Sequence, residues 1–145
     1  MQSLPIDQII EDDSYQVIKS LPNESVNLIV ADVPYGINFQ SARRIESERF
    51  DLIEGDNSID GKWLQESYYV LKPNSSLYLF TRWDVYPQWF LELQKYNFEV
   101  KNLIVWDKVI HGLGDLDGGY APQYELIVFC NTKGRETYST GRQTS

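Results

Sequence analysis

The sequence predicts an α/β fold with a mostly parallel sheet. Three observations carry that prediction: short apolar runs rich in β-branched and aromatic residues, helical patterns lying between them, and turn residues at the junctions. Strands that alternate with helices form βαβ units, whose crossovers leave the strands parallel. Val26-Asn27-Leu28-Ile29-Val30-Ala31 reads as a buried strand ending at Asp32. Ser76-Leu77-Tyr78-Leu79-Phe80-Thr81 is a second strand, launched by the turn Lys72-Pro73-Asn74-Ser75. Leu103-Ile104-Val105-Trp106 and Leu126-Ile127-Val128-Phe129 give two more, and Asp7-Gln8-Ile9-Ile10 is a further candidate. Between them, Ser14 to Leu21 forms a short helix stopped by Pro22-Asn23. Ile59, Trp63, Leu64, Tyr68 and Leu71 recur at helical spacing from about Ser58. A third helix spans about Val85 to Tyr96, with Pro87 tolerated in its first turn. The last two strands are joined by a glycine-rich loop and not by a helix, so they can pair antiparallel.

With 145 residues and no repeat, linker or low-complexity stretch, the chain is read as a single domain, 1–145. No apolar run approaches the roughly 20 residues that cross a bilayer. Met1 to Pro5 lack the basic and apolar regions of a signal peptide. The one cysteine, Cys130, lies inside an apolar run and is expected to be a buried, inert thiol. Together these features place the protein in the cytoplasm without a membrane. The net charge of −8 runs against a nucleic-acid partner, because such proteins usually carry a basic face. Local clusters remain available in Arg43, Arg44 and Arg49 and in Lys133, Arg135 and Arg142, each of which also reads as an ordinary solvated face.

In α/β sheets, ligands gather at the carboxyl ends of the strands, and Asp32 ends the first strong one. Asp32-Val33-Pro34-Tyr35-Gly36 combines a carboxylate, a stiffening proline, an aromatic and a freeing glycine. One reading is a strand-terminating turn whose tyrosine packs on the core. The other is a site for an exocyclic amine, a poor nucleophile because its lone pair is delocalised into the ring. Two acceptors aimed at its hydrogens, the Asp32 carboxylate and the Val33 carbonyl, favour a more tetrahedral nitrogen and stabilise the charge developing on it. Tyr35 would stack on a base taken out of the duplex, a contact worth roughly 1–3 kcal/mol. Methyl transfer from a sulfonium needs little beyond such positioning.

The flanking sequence favours the second reading. Asp13-Ser14-Tyr15-Gln16-Val17-Ile18-Lys19-Ser20-Leu21-Pro22-Asn23-Glu24-Ser25-Val26, running on into Asp32-Val33-Pro34-Tyr35, resembles the opening of the N4/N6 amino DNA methyltransferases. Val70 to Tyr78, Val105-Trp106-Asp107-Lys108, Tyr120 to Phe129 and Lys133-Gly134-Arg135 match later segments of that family in order. The resemblance implies a partial Rossmann-like methyltransferase sheet and S-adenosylmethionine as cofactor. It also implies DNA as partner, and adenine N6 as target because an aspartate opens the motif. It places Asp32, Val33, Pro34 and Tyr35 in the catalytic loop, and Asp13 and Asp32 at the cofactor. His111 falls beside a loop that contacts the target strand, or is a plain solvent-exposed histidine.

Two departures stand out. Val33 replaces the family's first proline, and the glycine-rich cofactor segment expected after Gly141-Arg142-Gln143-Thr144-Ser145 is not in the chain. Gly112, Gly114, Gly118 and Gly119 sit between late strands and do not replace it. The sequence therefore reads as the target-base half of a truncated methyltransferase. Alternatives are one half of a split enzyme, a non-catalytic DNA- or protein-binding relative, or an enzyme with an RNA or protein substrate. The strands expected beside Val26–Ala31 are missing, which leaves a sheet edge open to a second chain or to self-association. If the position of Val33 acts only through its carbonyl, Val33→Pro should leave methyl transfer equal or raise it; a sharp loss in a labelled-methyl assay would show that the loop works otherwise.

Overall fold

The structure, a computed structural model, describes residues 4–36, 59–109, 118 and 120–132. The arginine cluster 43–49, His111, most of the glycine-rich loop and everything after Thr132 lie outside the described residues. Seven elements follow in order: α1 (Ser14–Ser20), β1 (Val26–Asp32), α2 (Lys62–Val70), β2 (Leu71–Thr81), α3 (Tyr86–Lys95), β3 (Phe98–Asp107) and β4 (Tyr124–Thr132). They build one four-stranded sheet in the order β1-β2-β4-β3.

β1 pairs parallel with β2, and β4 pairs antiparallel with both β2 and β3. Three strands thus point the same way, and β4 alone runs against them. The connection from β2 through α3 to β3 leaves a strand-wide gap, which β4 fills. β3 and β4 are consecutive among the described elements, and antiparallel pairing is the short return path between consecutive neighbouring strands.

One face of the sheet carries the core. Leu77, Leu79 and Thr81 of β2 alternate inward with Leu126, Val128 and Cys130 of β4, all of them buried. Leu64 from α2, Trp89 and Leu93 from α3 and Phe98 from β3 close over them. Burial pushes the Cys130 thiol up to about 12, which fits the inert thiol expected of it. On the opposite face, Tyr78 stacks on Phe129 at 4.9 Å and Phe80 meets Trp106 edge-on at 5.9 Å. That face stays half-open, and Leu28 and Val30 of β1 are 51% and 60% exposed.

Three local readings change. Asp7 to Ile10 is not a strand: Asp7 takes a φ of 55°, which breaks an extended run, and Ile9 is fully exposed. The second helix begins at Lys62, later than about Ser58, because the Asp60 carboxylate accepts from the Lys62 N–H at 3.0 Å and turns the chain into the helix there. The turn Lys72-Pro73-Asn74-Ser75 does not precede β2 but interrupts it. Its pairing with β1 jumps from Val26↔Leu71 to Leu28↔Ser76, and Asn74 sits at φ 63° in the irregularity.

α3 begins with proline in its first turn, as expected, and ends where Asn97 adopts φ 65°, a left-handed exit that asparagine tolerates. Among the described residues, no helix is long and apolar enough to cross a membrane. The core depends on β2, so Leu79→Ala should cost about 2–5 kcal/mol in chemical denaturation. Leu91→Ala, on the exposed side of α3, should stay within about 0.5 kcal/mol.

Candidate active site

The parallel ladder carries Asp32 to the carboxyl end of β1, opposite Phe80 of β2. Beyond it the backbone leaves the sheet through Val33 and Pro34, and Gly36 at φ 71° turns the chain away, a conformation costly for a side-chain-bearing residue. Tyr35 folds back so that its hydroxyl donates to Asp32 Oδ1 at 3.3 Å. The Tyr35 hydroxyl is held well above the ordinary tyrosine range, first by burial and then by the negative charges of Asp32 and Glu125 and its hydrogen bond to Asp32; Arg82 opposes these. Tyr35 therefore stays protonated through the physiological range and remains a donor to Asp32.

Asp32 also lines a cavity of about 510 Å³, roomy enough for a nucleoside-sized ligand. Its wall includes Asp13 and Ile18 near α1, Asp32 with Val33 and Pro34, and Asp60, Trp63 and Trp89. Asp13 is placed there by its own hydrogen bonding: its carboxylate caps α1 by accepting from the Tyr15 N–H at 2.9 Å. Trp63 and Trp89 meet edge-on at 6.2 Å, and the buried Trp89 Nε1 has no hydrogen-bond partner among the described residues. A second hollow of about 320 Å³ continues between α1 and α2, sharing Asp13, Asp60 and Trp63.

Of the residues singled out in the sequence, Asp13, Asp32, Val33 and Pro34 share this cavity wall. Tyr35 is not in the wall; it meets the site through its hydroxyl, which is bonded to Asp32. Asp60 and Trp89 were not singled out, and Trp63 was read only as part of an apolar helix face. Their one sequence signal is the Asp60-to-Trp63 spacing at the start of a helix, which acquires meaning only when α1 packs beside it.

The same end of the sheet gathers further charge. Arg82 and Asp84 form a two-pronged pair at 3.1 and 2.8 Å just after β2. Lys108 pairs with Glu125 and lies 5.2 Å over the Trp106 ring. Asp107 accepts from Gln123 at 3.1 Å and from the Val109 N–H at 2.7 Å, which binds the end of β3 to the start of β4. Each cation here is matched by a carboxylate.

The sequence pattern of a DNA methylase family matches residues 26–143, from the start of β1 to beyond β4. The chain belongs to this DNA methylase family. The chain is 34% identical over 125 residues to the DNA adenine methyltransferase YhdJ of Escherichia coli K12, a match that covers 83% of this chain and 39% of that protein. It is 28% identical over 138 residues to the type II methyltransferase M.BamHI of Bacillus amyloliquefaciens, covering 90% of this chain and 30% of the other. It thus spans well under half the length of these relatives.

The fold is also that of the M1.HpyAVI–SAM complex, with a TM-score of 0.62 at 18% identity over 95% of this chain and 60% of the other. TTHA0409, a putative DNA modification methylase from Thermus thermophilus, gives 0.61 at 21% identity over 90% and 54%. The sheet is therefore Rossmann-like.

The cap on α1 gives a test of how Asp13 is held. Asp13→Asn keeps the acceptor and should leave the melting temperature unchanged, whereas Asp13→Ala should cost about 1 kcal/mol.

Proposed function

We propose that the chain is the target-base half, as one domain over residues 1–145, of a DNA adenine-N6 methyltransferase that uses S-adenosylmethionine. The observation that carries this reading is the position of Asp32. Its carboxylate lines a nucleoside-sized cavity and at the same time accepts a hydrogen bond from the Tyr35 hydroxyl. A methyl donor on one side and an acceptor base on the other would meet at that group.

The cavity suits the cofactor's chemistry. Trp63, Trp89 and Ile18 offer apolar surface for a purine, while Asp13, Asp32 and Asp60 offer carboxylates to hydroxyl and cationic groups. When bound, S-adenosylmethionine supplies an electrophilic methyl on sulfur. The chain's own residues do the positioning. Asp32 and the Val33 carbonyl accept from the two N–H bonds of the adenine amine, drawing its lone pair out of conjugation toward the methyl. Asp32, as the acceptor nearest the amine, would be the side on which the surplus proton leaves the nitrogen. Tyr35 supplies the stacking surface; its hydroxyl, protonated and already bonded to Asp32, keeps the carboxylate oriented until the amine arrives.

The relatives support the reading, since YhdJ is a DNA adenine methyltransferase and the M1.HpyAVI structure is a SAM complex. DNA is the partner and the cytoplasm the location under this reading. Among the described residues no strand pairs with the outer side of β1, beside the cavity, which favours a second arrangement in which another chain completes the cofactor side, as in a split methyltransferase.

The test is transfer of labelled methyl from S-adenosylmethionine to DNA, followed by nucleoside digestion. The label should appear in N6-methyladenine, and Asp32→Ala should lower the rate roughly 10²–10³-fold. Label in RNA or protein but not in DNA, or full activity in Asp32→Ala, would overturn the proposal.

A further inference from the structure

Val105-Trp106-Asp107-Lys108 takes no part in the chemistry at Asp32, yet the sheet carries it to the same rim. Residues paired across adjacent strands point to one face of a sheet, so the register fixes which side chains share a face with Asp32. Asp32 stands opposite Phe80, Phe80 opposite Ile127, and Ile127 opposite Ile104. Two residues beyond Ile104, Trp106 stands opposite Glu125, on that same face and at the same end of the sheet. The core lies on the other face, to which Leu77, Leu79 and Thr81 alternate.

Two lines of contact then lead from Asp32 to Trp106. The first is aromatic: Phe80, the partner of Asp32 in the ladder, meets Trp106 edge-on at 5.9 Å. The second is polar. Tyr35 donates to Asp32 at 3.3 Å and lies within reach of the Glu125 charge. Glu125 pairs with Lys108, whose ammonium stands 5.2 Å over the Trp106 ring. The indole is thus held by two neighbours, and 47% of it is still open to solvent. A fixed, half-open indole on the face that carries the amine acceptor has the form of a base-stacking platform.

Adjacent strands lie about 4.8 Å apart, so three strand spacings put Trp106 roughly 14 Å across the sheet from Asp32. That span exceeds one base and suits the next nucleotide along the strand. We propose that Trp106, steadied by Phe80 and Lys108, is the stacking surface for the DNA base that neighbours the target adenine. This inference rests on the target-base reading of Asp32 and Tyr35 and extends that site by one nucleotide. Lys108 is already matched by Glu125, so the contact is to a base and not to a phosphate.

Fluorescence anisotropy of the full 145-residue chain with a labelled single-stranded DNA of mixed sequence tests the assignment. Trp106→Leu should weaken binding about tenfold, and Trp106→Phe should recover most of the affinity. A base contact releases no counterion, so the salt dependence of binding should be the same in the parent and in Trp106→Leu. Circular dichroism should not change in either variant. Independently of any substitution, irradiation of the parent chain on iodouracil-substituted DNA should cross-link Trp106. Full affinity in Trp106→Leu, a shallower salt dependence in that variant, or cross-links confined to other residues would overturn the inference and leave the target-base reading standing. A parent chain that does not bind DNA would overturn both.

Discussion

Parallel pairing of β1 with β2 obliges the chain to cross the sheet between the two strands, and α2 lies on that crossover. Much of the site follows from this constraint. Both strands end at the same edge, so Asp32 reaches the rim beside Phe80, with Arg82 just beyond it. The returning chain delivers Asp60 and Trp63 to the start of α2, close to where α1 presents Asp13. The cavity is the space left between the outer flank of β1 and these helix ends. Its floor is Trp89, which α3 pins into the core beneath the sheet.

The electrostatics at the rim are those of a site that positions and do not favour a broad anion-binding surface. Tyr35 remains a hydrogen-bond donor because burial and the carboxylates of Asp32 and Glu125 oppose its ionisation, with Arg82 acting the other way. Lys108 and Arg82 are each engaged by an acidic partner. With a net charge of −8, the described rim offers matched pairs where a phosphate-binding surface would show excess cations. Base recognition through stacking and amine acceptors suits such a rim better than backbone attraction.

Much of this was legible in the sequence. Alternating apolar runs at 26–31, 76–81, 103–106 and 126–129 became the four strands, and each grew at its ends because pairing extends a ladder beyond its most apolar stretch. Pro22, Pro87 and the glycine-rich stretch before β4 marked boundaries through local backbone chemistry. Asp7 to Ile10 misled because apolar content alone does not provide a neighbouring strand. Lys72 to Ser75 was read as a turn, and its turn-like chemistry appears as an irregularity inside a longer strand. Asp60 and Trp89 gave no functional signal, since their meeting depends on how three helices stack around one strand end.

The claim that joins these features is that the hollow beside Asp32 holds the methyl donor. Calorimetric titration with S-adenosylmethionine addresses it directly. Saturable one-to-one binding is expected, weakened about tenfold or more, near 1.4 kcal/mol, in both Asp32→Ala and Trp63→Ala. No binding by the parent chain, or equal binding by all three proteins, would contradict the assignment.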